Sequence, residues 1–337
     1  MKFGIFEHLD SDGLPPHEQF EERLQFIAAC DRAGFYGYHL AEHHFSSLSN
    51  VPSPGIFLSA VAQRTQNIKL GPLVYLLPFY HPLRLIEEIA MLDQLSNGRF
   101  QLGVGRGISP LEMGYYQIDP AGAQQKYMET LEIVRRGLGS DVLNFDGEFF
   151  QYNNVPMALR PVQRPHPPLW YGIGKPDSTV WAAANDVNVV TLVPAPSARA
   201  ITDRYKQEWT ALNKDLNSLP LLGLGRHIVI ADTDEEAMDI ARRAYRVWRR
   251  SFVSLWEQHR QTELAYRAAP PEFDDMVERG NACAGSAATV RDFVAEEIET
   301  AGVNYLLMHM TFGDISLPEA LTSLKYFIDK IMPEFTA

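Results

Sequence analysis

Eight short apolar segments, each followed by a helix-length amphipathic stretch, most strongly limit how this chain can fold. Most of these segments are continuous apolar runs, which is typical of strands covered on both faces. Strands of this kind that alternate with helices predict parallel βα units, and eight such units predict a (β/α)8 TIM barrel. The predicted strands span residues 2–7, 36–40, 67–76, 100–105, 168–173, 187–192, 221–230 and 303–310.

The helices that would cover this barrel have clear end signals. A helix over 17–33 carries one apolar stripe and stops before Gly34, a residue type that suits the position after a helix. The last helix begins at Ser316, with Glu319 in the spacing of a capping box. This last helix completes the eighth βα unit.

Two stretches exceed a minimal barrel, and we predict that they are insertions in its loops. Residues 140–167 are rich in Pro and aromatic side chains, whereas 259–285 combine charges with Pro, Gly and Ala. The second stretch lies between the last two strands and is either a lid over the site or a disordered excursion. At 337 residues and 46% hydrophobic content, we predict one domain over 1–337 that carries both insertions.

Charge and hydropathy limit the class of partner. The net charge of −12 argues against nucleic acid or an anionic membrane surface, because both require a basic face. No apolar run approaches the roughly 20 residues that span a bilayer, and no signal peptide is apparent at the N-terminus. We therefore predict a cytoplasmic protein. Cys30 and Cys283 are too few for a disulfide framework or a thiolate metal site, and no metal is expected.

A histidine pair follows the second predicted strand, at the end of the barrel where active sites are found. The segment is Glu42-His43-His44-Phe45, and no HxxxH or HExxH pattern supplies further metal ligands. General acid/base chemistry by one imidazole fits better, because its ordinary pKa of about 6.5 lies near working pH. Packing beneath a loop is the structural alternative.

Two glycine-rich loops, after the fourth and fifth strands, suit a phosphate group. The first contains Arg106 between glycines, and an arginine presents a planar fork of donors to phosphate. The second runs from Gly174 and Lys175 through Pro176 to Ser178, where free N–H groups and a hydroxyl would meet an anion. A salt bridge for the arginine and simple helix capping for the serine are the alternatives. Their place on adjacent strands favours one shared phosphate.

Taken together, these segments resemble the bacterial luciferase family of flavin-dependent monooxygenases. The matching segments are KFGIF at 2–6, AEHHF at 41–45, HPLR at 81–84, LDQLSNGRFQLGVGRG at 92–107, the helix start at 174–182, GVNYLLMHM at 302–310 and IMPEF at 331–335. An ordered string over most of the chain is more specific than any single motif.

The resemblance implies a flavin site with His43 as the catalytic base beside the flavin ring. It places a non-prolyl cis peptide at Leu73–Val74 against the ring and a tryptophan, Trp248, near the pyrimidine side. The phosphate of flavin mononucleotide (FMN) would contact Arg106 and the loop after the fifth strand. The positions implied for cofactor binding are Leu73, Val74, Arg106, Gly174, Lys175, Ser178 and Trp248.

The implied activity is oxygenation of a small, apolar organic substrate with reduced FMN and O2. No dinucleotide-binding fingerprint is present, so a separate flavin reductase would supply the reduced FMN. A homodimer through helices at about 54–66 and 82–97 is also implied. The family's reactive cysteine is Gly105 here, so light emission and long-chain aldehyde specificity are not implied. Hydride transfer with the deazaflavin F420 and a non-catalytic flavin-binding role are the alternative functions.

Overall fold

Parallel strands form the centre of the molecule, as a computed structural model that describes residues 1–335 shows. The strands are β1 (Lys2–Glu7), β2 (Gly37–Leu40), β3 (Lys69–Pro72), β4 (Tyr75–Leu76), β5 (Leu102–Gly105), β6 (Val142–Asp146), β7 (Gln151–Pro156), β8 (Leu169–Gly172), β9 (Asn188–Thr191), β10 (Leu222–Ile230), β11 (Ala282–Gly285) and β12 (Tyr305–His309). All pairs are parallel except the hairpin β6–β7.

Helices follow most of the strands, as βα units require. The α-helices are α1 (Pro16–Arg32), α2 (Pro54–Arg64), α3 (Pro82–Leu95), α4 (Pro110–Tyr115), α5 (Ala123–Gly139), α6 (Thr179–Ala184), α7 (Ala195–Ala211), α8 (Asp234–Gln258), α9 (Glu263–Ala268), α10 (Phe273–Glu278), α11 (Ala287–Ala301), α12 (Leu317–Tyr326) and α13 (Met332–Phe335). A π-helical turn, Phe327–Ile331, joins α12 to α13. The predicted capping box at Ser316 and Glu319 is present at the start of α12.

The sheet closes into a TIM-like barrel and confirms the predicted fold class. The strand order is β3-β2-β1-β12-β10-β9-β8-β5-β4, in which β3 and β4 are two halves of one barrel strand. The pairing of β4 with β5, together with an isolated bridge between Leu70 and Phe100, brings the two edges together. Strand β11 is an additional strand that pairs with the C-terminal half of β10.

Side chains of the barrel strands alternate between an outer and an inner layer. On β1, Phe3 and Ile5 belong to the main core between barrel and helices, whereas Phe6 packs with the inner cluster. The inner cluster consists of Leu73, Trp170, Val190, Leu221, Tyr305 and Leu307. This alternation fixes which side chains after each strand face the mouth of the barrel.

Three chain segments differ from simple βα units. The predicted strand over 67–76 is interrupted between β3 and β4, and the peptide bond at Leu73–Val74 is cis, as expected. The stretch 140–167 contains the hairpin β6–β7, and 259–285 folds into α9, α10 and β11, so the disordered alternative is wrong.

Among residues 1–335, no helix is long and apolar enough to cross a membrane. The single domain predicted over 1–337 ends at residues 336 and 337, which lie outside the described residues, and it stays a prediction.

Candidate active site

The sequence-predicted residues meet at one end of the barrel. His43 follows β2, Arg106 follows β5 and Gly174 follows β8, each at the carboxyl end of a parallel strand. Because the carboxyl ends of parallel barrel strands share one mouth, these three loops surround the same space. Trp248 lies on α8, the helix after β10, and its indole reaches the same end of the barrel.

His43 is held by a carboxylate that sequence reasoning did not identify. Its Nδ1–H donates to Oε1 of Glu112 over 3.1 Å, and the same oxygen accepts the backbone N–H of His44 at 2.9 Å. Glu112 is buried on α4, and its backbone N–H donates to the N-cap Ser109. Because the carboxylate accepts a hydrogen bond from Nδ1–H, the proton of the neutral ring stays on Nδ1 and Nε2 of His43 is free to accept another. The side chain of His43 is 22% exposed, which leaves it open to a ligand.

The neighbouring His44 has a structural role. Its Nε2 donates to Oε1 of Glu42 over 2.8 Å, while its Nδ1 accepts from the hydroxyl of Tyr116 at 3.0 Å. The other oxygen of Glu42 accepts the Leu76 N–H and the Tyr80 hydroxyl, both at 3.0 Å. Burial raises the pKa of Glu42, which the bond to His44 opposes. Both ring nitrogens of His44 are therefore occupied, and His43 is the histidine available for chemistry.

A second histidine group lines the inner wall beside His43. We call His8, His227 and His309 the inner histidine cluster; His8 follows β1, His227 lies within β10 and His309 ends β12. The ring centroids of His8 and His43 lie 5.6 Å apart, and those of His8 and His309 lie 5.4 Å apart. His227 and His309 share a hydrogen bond of 3.0 Å between Nε2 and Nδ1.

The inner histidine cluster is uncharged at neutral pH. Burial lowers the pKa of His227 to about 3, and the nearby Arg226 adds to this shift. Burial also holds the pKa values of His8 and His309 well below the ordinary value, with further repulsion from the neighbouring imidazoles. Sequence reasoning missed these residues, because an inward histidine on or directly after a strand cannot be distinguished from an ordinary core position before the barrel is known.

Behind the cluster, a buried polar group anchors the end of β1. Glu7 forms an ion pair with Arg23 at 3.0 Å and accepts hydrogen bonds from the hydroxyls of Tyr38 and Thr311. Burial raises the pKa of Glu7, which Arg23 and the two hydroxyls oppose. Asp10 follows and accepts the Gly313 N–H at 3.1 Å, while burial raises its pKa to about 7.

Opposite the histidines, three glycines follow or end the strands β5 and β8. We call Gly105, Gly172 and Gly174 the glycine shelf. A Cβ added at Gly172 or Gly174 would meet no atom within 4 Å, whereas one added at Gly105 would collide with Cγ2 of Val74. Leu192, directly after β9, is 57% exposed. The surface at Gly172 and Gly174 is therefore open and free of side chains, while Gly105 lies buried against Val74; such a surface suits a flat aromatic ring such as isoalloxazine.

The two predicted phosphate loops follow neighbouring strands, since β5 pairs with β8 through Val104 and Tyr171. Arg106 is exposed, and its Nε–H donates to the carbonyl oxygen of Gly107 at 3.2 Å. Among residues 1–335, no carboxylate forms a salt bridge with it, so its guanidinium is available to an anion. Lys175 precedes a 3-10 turn, Pro176–Ser178, which leads into α6.

Aromatic side chains form the rim of the mouth on the side of α4. Phe79 stacks on Tyr116 at 4.6 Å, and the exposed Phe45 packs edge to face on Tyr115 at 4.9 Å. The hydroxyl of Tyr115 forms a hydrogen bond of 2.8 Å with Nε2 of His259, just beyond the end of α8. This bond joins the two sides of the rim.

Comparison with known proteins gives one consistent result. Residues 1–305 match the family described as luciferase-like monooxygenase. A protein of Sinorhizobium fredii, y4wF, described as uncharacterized, is 45% identical over 322 residues, or 95% of this chain and 93% of that protein. The oxygenase component of flavin-dependent trigonelline monooxygenase from Acinetobacter baylyi is 26% identical and covers 100% of this chain and 96% of that protein.

A solved structure shares the fold. The oxygenating constituent of 3,6-diketocamphane monooxygenase from Pseudomonas putida, a type II Baeyer-Villiger monooxygenase in complex with FMN, superposes with a TM-score of 0.82. The match covers 99% of this chain and 98% of that chain at 19% identity.

Proposed function

The chain belongs to the luciferase-like monooxygenase family and is a flavin-dependent monooxygenase, and we propose that it uses reduced FMN and O2 to oxygenate a small, apolar organic substrate. The observation that carries the proposal is the pairing of a carboxylate-held base, His43, with the glycine shelf across one barrel mouth. Reduced FMN, when bound, supplies the electrons that activate O2.

We place the flavin ring against the glycine shelf and its phosphate at the two loops beside it. The open space above Gly174 and the unpaired guanidinium of Arg106 support this placement. Trp248 would border the pyrimidine side, with its indole N–H turned towards His8. The residues proposed to hold the cofactor are Leu73, Val74, Arg106, Gly174, Lys175, Ser178 and Trp248.

His43 is the group that moves a proton. Glu112 keeps the Nδ1 proton in place, so Nε2 accepts a proton from the reacting centre and later returns it. The aromatic rim formed by Phe45, Phe79, Tyr115 and Tyr116 supports an apolar substrate. Such a rim also excludes water, which would otherwise compete with the substrate.

The proposed partners are a flavin reductase and a second copy of this chain. The absence of a dinucleotide fingerprint from the sequence and the "oxygenase component" similar to this chain both support a separate flavin reductase. We further propose a cytoplasmic homodimer through α2 and α3. On these helices Ile56 is 75% exposed, and Met91 and Leu95 are exposed as well, which is unusual for large apolar side chains on a free surface.

The test is an oxygen-transfer screen. The protein is supplied with chemically reduced FMN and ¹⁸O2, a panel of apolar substrates is added, and mass spectrometry detects a product that gains one ¹⁸O atom. We expect such a product with the wild type and a loss of about 100-fold or more with His43→Ala. Reduced F420 without O2 forms a parallel arm. Substrate reduction there, with no ¹⁸O product in the first arm, would overturn the proposal in favour of hydride transfer. Flavin binding with no turnover in either arm would indicate a non-catalytic protein.

A further inference from the structure

His8, on the wall opposite the glycine shelf, has a hydrogen-bonding capacity that the proposed flavin chemistry does not use. We propose that His8 is a specificity-determining residue whose Nε2–H donates a hydrogen bond to an uncharged oxygen acceptor of the substrate. This inference rests on the proposed function, because the substrate must share the mouth with His43. The substrate would then carry an uncharged oxygen acceptor on the side that faces His8.

The tautomer of His8 is set by Trp248. The indole Nε1–H donates to Nδ1 of His8 over 3.4 Å, and an indole nitrogen can only donate. Nδ1 of His8 therefore accepts, and in a neutral imidazole the single proton then lies on Nε2. Trp248 is buried on α8 and packs against Phe252 at 5.0 Å, so this donor is held in place.

Within residues 1–335, the only hydrogen bond of the His8 side chain is the one from Trp248 to Nδ1, and none reaches Nε2. The ring is 8% exposed, and its nearest aromatic neighbours are Phe6 at 5.1 Å, His309 at 5.4 Å and His43 at 5.6 Å. The small exposed part of the ring lets a ligand reach this free donor, and a ligand oxygen is its natural complement. In the same cluster, Nε2 of His309 is buried and unpaired, so the wall has a second hydrogen-bonding atom without a partner.

The charges around His8 favour an uncharged acceptor over a carboxylate. The titratable side chains packed nearest to it are His43, His227 and His309. The inner histidine cluster, which includes His8 itself, carries no charge at neutral pH. The arginines behind the wall are already paired, Arg23 with Glu7 at 3.0 Å and Arg226 with Glu297 at 2.6 Å. A buried carboxylate would lack a counter-charge here, whereas a ketone or ether oxygen needs only the donor.

The first experiment tests the tautomer alone. Nitrogen-15 NMR of selectively labelled histidine, assigned with His8→Gln, should show Nε2 protonated and Nδ1 unprotonated in the FMN-loaded oxidised protein. Trp248→Phe, which keeps an aromatic ring but removes the indole N–H, should abolish this preference. A proton on Nδ1 of His8 in the wild type would overturn the inference. The result does not depend on any catalytic activity.

The second experiment tests the substrate contact by binding to the oxidised, FMN-loaded protein. The probes are acetophenone and α-methylstyrene, which have the same shape but differ in a carbonyl oxygen, and benzoate as the charged comparison. Calorimetry should show that acetophenone binds about 3- to 10-fold more tightly than α-methylstyrene, the usual value of one neutral hydrogen bond. Benzoate should bind more weakly than acetophenone.

The variants separate a donor from a packing role. His8→Leu should remove the preference for acetophenone, whereas His8→Gln, which keeps an N–H near the position of Nε2, should retain part of it. His17→Gln, on the exposed face of α1, is the matched control and should change nothing. The infrared carbonyl band of bound acetophenone should move to lower frequency only where the donor is present.

Equal binding of the two isosteres, or no binding of acetophenone at all, would overturn the inference. A clear carbonyl preference without any ¹⁸O product would instead overturn the proposed monooxygenase reaction and leave the donor role of His8 standing.

Discussion

Replacing Arg106 by Ala tests where the cofactor phosphate lies. The side chain is exposed, forms one hydrogen bond to the carbonyl oxygen of Gly107, and pairs with no carboxylate among residues 1–335. Its removal should therefore change folding stability very little. Any loss of FMN affinity then reports a contact with the ligand rather than damage to the barrel.

The expected magnitude follows from the charge on the guanidinium. A hydrogen bond to a charged group contributes about 1.5–3 kcal/mol, and its loss should increase the dissociation constant for FMN by about 10- to 150-fold. Riboflavin lacks the phosphate, so its affinity should change by less than about 2-fold. Ser178→Ala should weaken FMN in the same selective way but by less, because a neutral hydroxyl contributes only about 0.5–1.5 kcal/mol.

Fluorescence titration of FMN and of riboflavin measures both constants on the same protein. Arg84→Ala provides the matched control, since Arg84 is an exposed arginine on α3 whose nearest carboxylate is 3.8 Å away on Glu87. The affinity of this control for both ligands should equal that of the wild type. If Arg106→Ala weakens FMN and riboflavin equally, or neither, the phosphate does not lie at this loop.

The remaining predictions concern the base, the shelf and a buried acid. Glu112→Gln should slow product formation by about 10- to 150-fold, because His43 loses its charged partner. The double variant with His43→Ala should be no slower than His43→Ala alone. Additive losses would show that the two residues act independently. Gly105→Ala should lower the free energy of unfolding, measured in urea, by about 1–3 kcal/mol. Gly172→Ala should leave this free energy unchanged but lower the affinity for FMN. The reverse pattern would place the flavin ring elsewhere. Asp10 has a pKa of about 7 in the folded protein against an ordinary value of 3.8, so between these pH values the folded state holds a proton that the unfolded chain releases. The free energy of unfolding should therefore fall between about pH 4 and pH 7, by at most about 4 kcal/mol. Urea unfolding should show a flatter pH dependence for Asp10→Asn than for the wild type, and parallel curves would contradict the prediction.

The barrel could be predicted because its strands are continuous apolar runs with helix ends marked by local residues. Gly34 has a φ of +83° after α1, and Ser316 caps α12, both as the sequence indicates. Strand β11 was missed because its residues, Ala282–Gly285, are small and include no β-branched side chain. The hairpin β6–β7 was missed for a different reason: its strands are largely exposed and rich in polar residues, so no apolar pattern marks them.

Of the candidate site, the sequence indicates only those parts whose chemistry lies in a short segment. His43 is a candidate because it follows a strand end, and its role stays a prediction. Its partner Glu112 lies 69 residues away on a short helix, and no local pattern joins them. The inner histidine cluster joins β1, β10 and β12, so its members are distant in sequence and meet only through barrel closure. Contacts of this kind depend on register, which periodicity does not specify.

The glycine shelf also limits how this enzyme can diverge. At Gly105 any side chain meets Val74, and at Gly172 and Gly174 a side chain would occupy the space assigned to the flavin. With the flavin placed as we propose, we expect mutation at these positions to remove the cofactor before it alters the choice of substrate. Changes in substrate specificity must then arise on the opposite wall and the rim. There, Phe45, Tyr115 and His8 can change without loss of flavin binding. Across descendants of this chain, we expect sequence variation around the mouth to be one-sided.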